Sequence, residues 1–263
     1  MNIVVCVKLT PDPSDIEVKS DGSISLERAE WSIGNFDLQA VEAAVRLAEA
    51  AAAAGEESKV IALSAGPEAI DQSKLKKDLL SRGPDELVMV VDDALRGADT
   101  AATAAVLAQA VRKLGPVDLV LCGEGSADLY FQQVGLQLGE RLCLPTLNAI
   151  SKIERDGEVL VVERDLEDEV EVLEVPLPAV LSVTTGINPP RLPTMKEILK
   201  AGKKPVRRLS LAELELSGEI APQVQVISTR APEQRDRKQI MLSGSPEEAA
   251  QKLVEQLSRE GII

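Results

Sequence analysis

The strongest constraint on the fold is a regular alternation, in the first half of the chain, of short apolar runs with longer amphipathic segments. Four of these runs are apolar almost throughout, as expected of strands buried on both faces of a sheet, and they cover residues 2–7, 59–64, 86–91 and 117–122. Strands joined in this way by short connections and helices require right-handed crossovers and a mainly parallel sheet. The sequence therefore predicts an α/β fold with a doubly wound, Rossmann-like sheet.

Two of the predicted helices have recognisable start signals. Asn35 is predicted to cap a helix over residues 36–54, which ends before Gly55. Asp99 or Thr100 is predicted to cap an alanine-rich helix that ends at residue 114, and the small side chains of this helix permit close packing on a sheet.

A glycine-bearing loop, GEGSADLYFQQVG at residues 123–135, follows the fourth run and precedes a helix expected over residues 131–142. Free N–H groups and a helix N-terminus at the carboxyl end of a strand favour phosphate or another anion. The pattern matches only part of a dinucleotide fingerprint, because Asp128 stands where a third glycine is usual, and a turn that merely ends a strand is equally consistent with it. If the first and fourth runs are neighbours, the loop lies at the switch point of the sheet, beside residues 9–11.

Composition excludes several classes of function. The chain has no histidine, which excludes His-based triads and imidazole bases and removes the commonest metal ligand. Its three cysteines are odd in number and widely spaced, so we expect neither a disulfide framework nor a metal site, and a cytoplasmic location fits best. The net charge of −14 argues against nucleic acid as a partner, and no apolar run is long enough for membrane insertion. Any redox or group-transfer chemistry is therefore expected to be that of a cofactor.

The second half of the chain departs from the alternation. Three short runs with alternating or β-branched character predict antiparallel strands on one edge of the sheet, at residues 147–153, 159–163 and 170–174. The apolar run at 178–183 is expected to return to the main sheet. These runs predict an antiparallel extension at about residues 146–175.

A proline-framed segment at about residues 184–204 contains a short amphipathic stretch with Met195, Ile198 and Leu199, which suggests a docking element. A loop packed on its own domain is the alternative. Residues 209–263 carry apolar side chains that are too dispersed for a separate core. We therefore predict an α/β domain over residues 1–208 and a C-terminal arm over 209–263 that packs on something else.

Several stretches together resemble a known family. They are VVCVKLTPD, SIGNFDLQAVEAAVRL, KKDLLSRGPDEL, the glycine loop, INPPRLPTMKEILKAGKKP, and a signature region that includes Val162-Glu163-Arg164 and residues 178–182. On these stretches the chain resembles, over its whole length, the β subunit of electron-transfer flavoproteins, and most closely the FixA-type branch.

This resemblance implies a heterodimer. Its α subunit would carry a redox FAD near this chain, and the β subunit would hold AMP or, in electron-bifurcating members, a second FAD. The domain over residues 1–208 would bind this nucleotide, and the arm over residues 209–263 would pack on the partner subunit. The pair would be an electron carrier rather than an enzyme, passing electrons from an acyl-CoA or related dehydrogenase towards a quinone oxidoreductase or another acceptor. By position, the nucleotide pocket would include Cys6, Lys8, Asn35, Leu63, Ser64, Ala65, Thr100, Gly123, Glu124, Gly125, Asp128, Gln132, Gln133, Val134 and Gly135.

The resemblance also implies that Arg164 lies near the flavin of the α subunit and that Met195, Ile198 and Leu199 dock a partner. Two positions depart from the family pattern. Tyr130 stands where many members have a second acidic residue, and residues 34–37 read Gly-Asn-Phe-Asp where Asn-Pro-Phe-Asp is common. These departures leave AMP and FAD both open.

Two alternative functions remain at this point. One is an electron-bifurcating subunit whose own FAD oxidises NADH. The other is a stand-alone adenine-nucleotide sensor of the same fold, because a fold does not determine a function.

Overall fold

The structure, a computed structural model, describes residues 1–216, 220, 222–232 and 238–263. Its strands are β1 (Asn2–Cys6), β2 (Leu9–Pro11), β3 (Glu17–Val18), β4 (Ile24–Ser25), β5 (Trp31–Ile33), β6 (Lys59–Gly66), β7 (Glu86–Val91), β8 (Leu119–Gly123), β9 (Thr146–Asp156), β10 (Val159–Asp165), β11 (Val170–Pro176), β12 (Ala179–Val183) and β13 (Val206–Leu209). Its α-helices are α1 (Asn35–Ala53), α2 (Ser73–Ser81), α3 (Thr100–Leu114), α4 (Val134–Leu142), α5 (Met195–Ala201) and α6 (Pro246–Arg259).

Nine strands form one sheet, in the order β11-β10-β9-β12-β8-β1-β6-β7-β13. Every neighbouring pair from β9 to β13 across the sheet is parallel, whereas β9, β10 and β11 pair in an antiparallel way at one edge. The predicted α/β fold with a mainly parallel sheet and an antiparallel edge is therefore confirmed. The run at 178–183 returns to the main sheet as β12, which also confirms the prediction.

The order of the strands reverses at β1. The chain passes from β1 through α1 to β6 and through α2 to β7 on one side, and then through α3 to β8 on the other side of β1. The predicted neighbours β1 and β8 pair directly, with Ile3 opposite Leu119 and Val5 opposite Leu121. The gap between their carboxyl ends is therefore the topological switch point, where ligands bind in folds of this kind.

The central strands are mainly apolar, as expected of strands whose sheet is covered by helices on both faces. Along β1, Ile3 and Val5 pack among side chains of α1 and α2, while Val4 and Cys6 pack among side chains of α3 and α4. Successive side chains of a strand point to opposite faces, so both sets are removed from water. In the part of the chain that the structure describes, no helix combines the length and the apolar character needed to cross a bilayer.

The starts of two helices differ from those predicted. Asn35 is the first residue of α1 and Gly34 is its N-cap, so the Asn35 side chain does not cap the helix. Helix α4 begins at Val134 instead of residue 131, because Gln132 has a φ of 57°, in the left-handed region, and interrupts the helical backbone. Of the two caps predicted for α3, the structure shows Asp99. Its side chain accepts a 2.8 Å hydrogen bond from the Ala102 N–H.

Part of the region expected to form a C-terminal arm belongs instead to the core of the sheet. Strand β13 pairs in parallel with β7, and Leu211, Leu214 and Leu216 are buried on the same face as α3. The expectation that the apolar residues after residue 208 need a surface outside this chain is therefore wrong for Leu214. The Leu214 side chain is buried beside β13, within the chain itself.

The chain forms two compact units, which are Met1–Glu17 with Ser25–Ser228, and Val18–Ile24 with Thr229–Ile263. The division expected after residue 208 falls within the first of these units. Within the second unit, α6 buries none of its residues. Apolar side chains of this unit are exposed, among them Ile240, Met241, Leu253 and Val254.

The burial of Leu214 gives a direct test of this packing. We expect Leu214→Ala to lower the free energy of unfolding by about 2 to 5 kcal/mol, because truncation leaves a cavity beside α3. Ile227→Ala, at a residue that is 94% exposed, should change it by less than about 0.5 kcal/mol. Urea denaturation followed by circular dichroism measures both values, and similar losses for the two variants would contradict the assignment.

Candidate functional site

The carboxyl ends of β1, β6 and β8 lie side by side and bring most of the predicted pocket residues to one edge of the sheet. Cys6 pairs with Leu63, and the Val7 N–H donates a 2.8 Å hydrogen bond to the Leu63 carbonyl. Gly123 ends β8 at the same edge. Helices α1 and α3 begin at Asn35 and Thr100, close to these strand ends in the topology. Residues that are far apart in the sequence thus form one candidate site.

An ion pair joins the two sides of the switch point. The Lys8 Nζ, just after β1, lies 2.7 Å from both carboxylate oxygens of Asp128, in the loop after β8, and 3.5 Å from the Ser126 Oγ. Burial opposes ionisation of Asp128, but hydrogen bonds from Lys8 and Ser126 outweigh it and hold the pKa of Asp128 below its ordinary value. The Lys8 side chain remains 44% exposed. This ion pair is therefore partly accessible from outside the fold.

Two glycines of the loop are required by close packing. A Cβ on Gly123 would lie 2.8 Å from the Cβ of Phe36, and a Cβ on Gly135 would lie 2.1 Å from the Ser182 Oγ. A larger residue at either position would push α1 or α4 away from the sheet. Packing therefore explains Gly123 and Gly135 without a ligand, and the sequence pattern alone could not separate this role from phosphate binding.

Residues 128–133 fold back over the start of the loop. The Tyr130 hydroxyl donates a 3.0 Å hydrogen bond to Glu124, and the Gln132 amide donates a 3.2 Å hydrogen bond to the Tyr130 oxygen. The Tyr130 and Phe36 rings lie 5.0 Å apart between centroids. Sequence reasoning noted Tyr130 only as a departure from a family pattern and gave neither Tyr130 nor Phe36 a place in the site.

Polar side chains link the starts of α3 and α4. The Thr100 hydroxyl donates a 2.8 Å hydrogen bond to the Gln133 side-chain oxygen and accepts one of 3.2 Å from the Gln137 amide. Of these three residues, Gln137 was not predicted. Because it lies one helical turn after Gln133, the helical spacing of the two glutamines was the available signal.

Several buried polar atoms at this edge have no hydrogen-bond partner among the described residues. They include Asp37 Oδ2, at the start of α1, and Ser64 Oγ, near the end of β6, and also Thr10 Oγ1 and Gln137 Oε1. Buried polar atoms are nearly always paired in folded proteins, so atoms of this kind indicate a place for water or for a polar ligand. A nucleotide, which carries both donors and acceptors, fits such a set.

Burial also controls the charge of Asp37. It raises the pKa of the Asp37 carboxyl from its ordinary 3.8 to about 8, and the charge of Asp128 adds to the rise, while the Lys8 backbone and ammonium group oppose it. At neutral pH Asp37 is therefore uncharged and can donate a hydrogen bond, whereas Asp128 is ionised.

Arg164 does not lie with the other predicted site residues. It is on β10, three strands from β8 in the sheet. Its Nη2 donates a 2.8 Å hydrogen bond to Asn148 Oδ1, its Nη1 lies 3.4 Å from Glu171, and its Nε is buried without a partner among the described residues. The register of β9 and β10 shifts next to Arg164, so a β-bulge lies beside the guanidinium group.

A comparison with protein-family models shows to which family the chain belongs. The electron transfer flavoprotein domain matches residues 22–214. The chain belongs to the electron transfer flavoprotein family. The matched span contains the glycine loop, Arg164 and α5, whereas Lys8 lies before it.

In this family member, the predicted docking residues lie on α5. Met195 and Leu199 are 73% and 72% exposed, and Ile198 is 37% exposed, so the amphipathic stretch does not bury its apolar face against the described residues of its own chain. A capping box formed by Thr194 and Glu197 starts the helix. Met195 and Leu199 are therefore not packed on the described residues of their own domain.

The segment that carries α5 is fastened at both ends. Before it, the Arg191 guanidinium pairs with Glu42 at 2.7 Å and with Glu49 at 2.8 Å, both on α1. After it, the Lys204 Nζ donates hydrogen bonds of 2.6 to 3.2 Å to three backbone carbonyls, that of Leu80 in the last turn of α2 and those of Gly83 and Pro84 just after the helix. The apolar face of α5 is therefore exposed on a fixed support.

The raised pKa of Asp37 predicts a pH dependence of stability. The folded chain retains a proton that the unfolded chain loses above pH 3.8, so the contribution of Asp37 is complete below that pH and is lost as the pH rises to about 8. We expect Asp37→Asn to remove this decline, and its free energy of unfolding relative to wild type should rise by up to about 1.4 kcal/mol per pH unit over that range. Urea denaturation at pH 5, 6.5 and 8 measures the slope. Asp168→Asn, at an exposed position, is the control and should keep the wild-type slope.

Proposed function

We propose that the chain is the β subunit of a heterodimeric electron-transfer flavoprotein, which holds an adenine nucleotide, AMP or FAD, at the carboxyl ends of β1, β6 and β8. The observation that carries the proposal is the ion pair of Lys8 and Asp128 across the switch point, in a chain of this family. It joins a partly exposed cation to a glycine loop, at the position where folds of this kind bind nucleotides.

Each group at the site has a distinct part in this proposal. Lys8 would attract the phosphate, and the loop from Gly123 to Gly135 would offer backbone N–H donors. Uncharged Asp37 and the Ser64 hydroxyl, whose buried oxygens lack partners among the described residues, would bond the polar atoms of the nucleotide. The pocket would also use Cys6, Asn35 and Thr100 from the adjoining strand and helix ends. Bound AMP would supply no redox chemistry, whereas bound FAD would supply a second redox centre.

Arg164 would act on the α subunit of the proposed heterodimer. Its guanidinium group is held by Asn148 and Glu171, and its Nε is buried without a partner among the described residues. A fixed positive charge of this kind would stabilise negative charge on the FAD of an α subunit. Exposed apolar side chains in the described part of the chain after β13, including Val224, Val226 and Ile227, support contact with that subunit.

The apolar face of α5 would dock an acyl-CoA or related dehydrogenase. Two large exposed side chains one helical turn apart, Met195 and Leu199, form the kind of anchor that fits a pocket on another protein. Electrons would then pass through the α-subunit FAD towards a quinone oxidoreductase or another acceptor, and the complex would work in the cytoplasm.

The decisive experiment is to purify the chain with a coexpressed α subunit and to determine the bound flavin and AMP after denaturation. One flavin and one AMP per heterodimer would support the proposal in its AMP form. Two flavins, with reduction by NADH, would establish the electron-bifurcating alternative. A chain that binds adenine nucleotide but recruits neither an α subunit nor flavin would overturn the proposal in favour of the sensor.

Removing the Lys8 charge tests the nucleotide site. We expect Lys8→Met to weaken AMP binding by roughly 10- to 100-fold, because a charged hydrogen bond contributes about 1.5 to 3 kcal/mol. Lys74→Met removes an exposed lysine on α2 and serves as the matched control, with no expected change. Calorimetric titration at two salt concentrations measures the loss, and equal affinities for the two variants would contradict the assignment.

The docking face can be tested without disturbing the nucleotide site. Met195→Ala combined with Leu199→Ala should raise the KM for the donor dehydrogenase about tenfold or more and leave the bound nucleotide unchanged. Leu26→Ala, which trims an apolar residue that is 44% exposed elsewhere, is the control. Steady-state electron transfer from the dehydrogenase gives the KM values. An unchanged KM in the double variant would remove α5 from the docking surface.

A further inference from the structure

Aromatic residues are concentrated at the glycine loop. The chain has only two Phe, one Tyr and one Trp, and three of these four residues, Phe36, Tyr130 and Phe131, lie in the loop or at the start of α1 beside it. Tyr130 is 45% exposed. A chain this poor in aromatic residues does not need an exposed tyrosine here to complete its core, so the ring calls for another explanation.

The Tyr130 ring is held in a defined position. Phe36 packs against it at 5.0 Å between centroids, with an angle of 37° between the ring planes. Hydrogen bonds to Glu124 and from Gln132 fix its hydroxyl group. The ring also lies so close to Gly125 that a Cβ there would come within 2.2 Å of the Tyr130 Cδ2. Contacts with these four residues therefore orient the ring while almost half of the residue stays exposed.

The backbone supports the same conclusion. Tyr130 has a φ of 49° and Gln132 a φ of 57°, and residues other than glycine rarely adopt this left-handed conformation. Strain of this kind persists only where the surrounding contacts determine it, and it is common at binding sites. The loop therefore holds a preorganised aromatic surface, which loses little conformational entropy when a ligand binds.

We propose that Tyr130, supported by Phe36, is the platform on which the heteroaromatic ring of the bound nucleotide stacks, and that it selects nucleotides over sugar phosphates. The inference rests on the proposed nucleotide site. Asp128, two residues before Tyr130, holds the Lys8 ammonium group at 2.7 Å, so a single short loop joins an anion-attracting group to an aromatic surface. Phosphate attraction by Lys8 does not distinguish AMP from ribose 5-phosphate, whereas stacking requires a base. Tyr130 is thus a specificity-determining residue.

The test compares two probes, AMP and ribose 5-phosphate, by calorimetric titration of the full chain. We expect Tyr130→Leu to weaken AMP binding roughly 5- to 100-fold, the range that stacking of one base contributes, and to leave the affinity for ribose 5-phosphate unchanged. Tyr130→Phe keeps the ring and should stay within about threefold of wild type for AMP. Phe131→Leu, at the neighbouring exposed ring, is the matched control.

A spectroscopic readout is independent of affinity. Tyr130 is the only tyrosine of the chain, so carbon-13 labelling of tyrosine gives the signals of one ring. Saturating AMP should shift those signals by the ring current of the stacked base, and saturating ribose 5-phosphate should shift them much less. The signals of the other, unlabelled residues in these spectra show whether each variant is folded.

The outcomes separate the two proposals. If wild type binds both probes and Tyr130→Leu weakens them equally or not at all, the stacking platform is wrong and the nucleotide site stands. If wild type binds neither probe, the proposed nucleotide site fails and the inference fails with it. Loss of AMP affinity alone, together with the AMP-specific shift, would establish Tyr130 as the platform.

Discussion

The structure depends on the parallel pairing of β1 with β8 at the centre of a sheet covered on both faces. These strands lie in the middle of the order, and their side chains are almost completely buried between α1 and α2 on one face and α3 and α4 on the other. From β1 the chain first adds β6 and β7 on one side and then adds β8 on the other side. No crossover connection therefore covers the space between the ends of β1 and β8. The polar residues that follow these strands can therefore converge there while the core remains apolar.

Two carboxyl groups near one lysine have different charges for physical reasons. Asp128 lies where Lys8 and Ser126 bond it directly, so these interactions outweigh burial and its pKa is low. Asp37 lies deeper, where burial dominates and the negative charge of Asp128 makes ionisation still less favourable. The site thus combines one ion pair with a neutral hydrogen-bond donor. If both carboxyl groups were protonated the ion pair would be lost, and if both were ionised the neutral donor would be lost.

Rigidity at the two candidate binding surfaces has different sources. At the glycine loop, close approach at Gly123 and Gly135 and the contacts of Tyr130 hold an irregular backbone in place. At α5, charged side chains fasten the segment, since Arg191 pairs with Glu42 and Lys204 donates to the carbonyl end of α2. In both places polar or steric restraints lie beneath exposed apolar side chains, which is the arrangement needed for a surface to remain ready for a partner.

The sequence by itself determined the fold class, because continuous apolar runs of strand length between amphipathic helices can be buried only in a parallel sheet covered on both faces. It also determined the antiparallel edge and the return of the chain in β12, and it limited the cap of α3 to Asp99 or Thr100, of which the structure shows Asp99.

Only the tertiary structure decided features that depend on contacts between distant residues. The ion pair of Lys8 and Asp128 joins positions 120 residues apart, and the start of α4 is set by a turn that packs on Phe36. Strand β13 has no apolar pattern, since three of its four residues are exposed, and it forms because β7 offers a free edge. The burial of Leu214 follows from that pairing. These features had no local signal, because the free energy that fixes each of them comes from the partner and not from the segment itself.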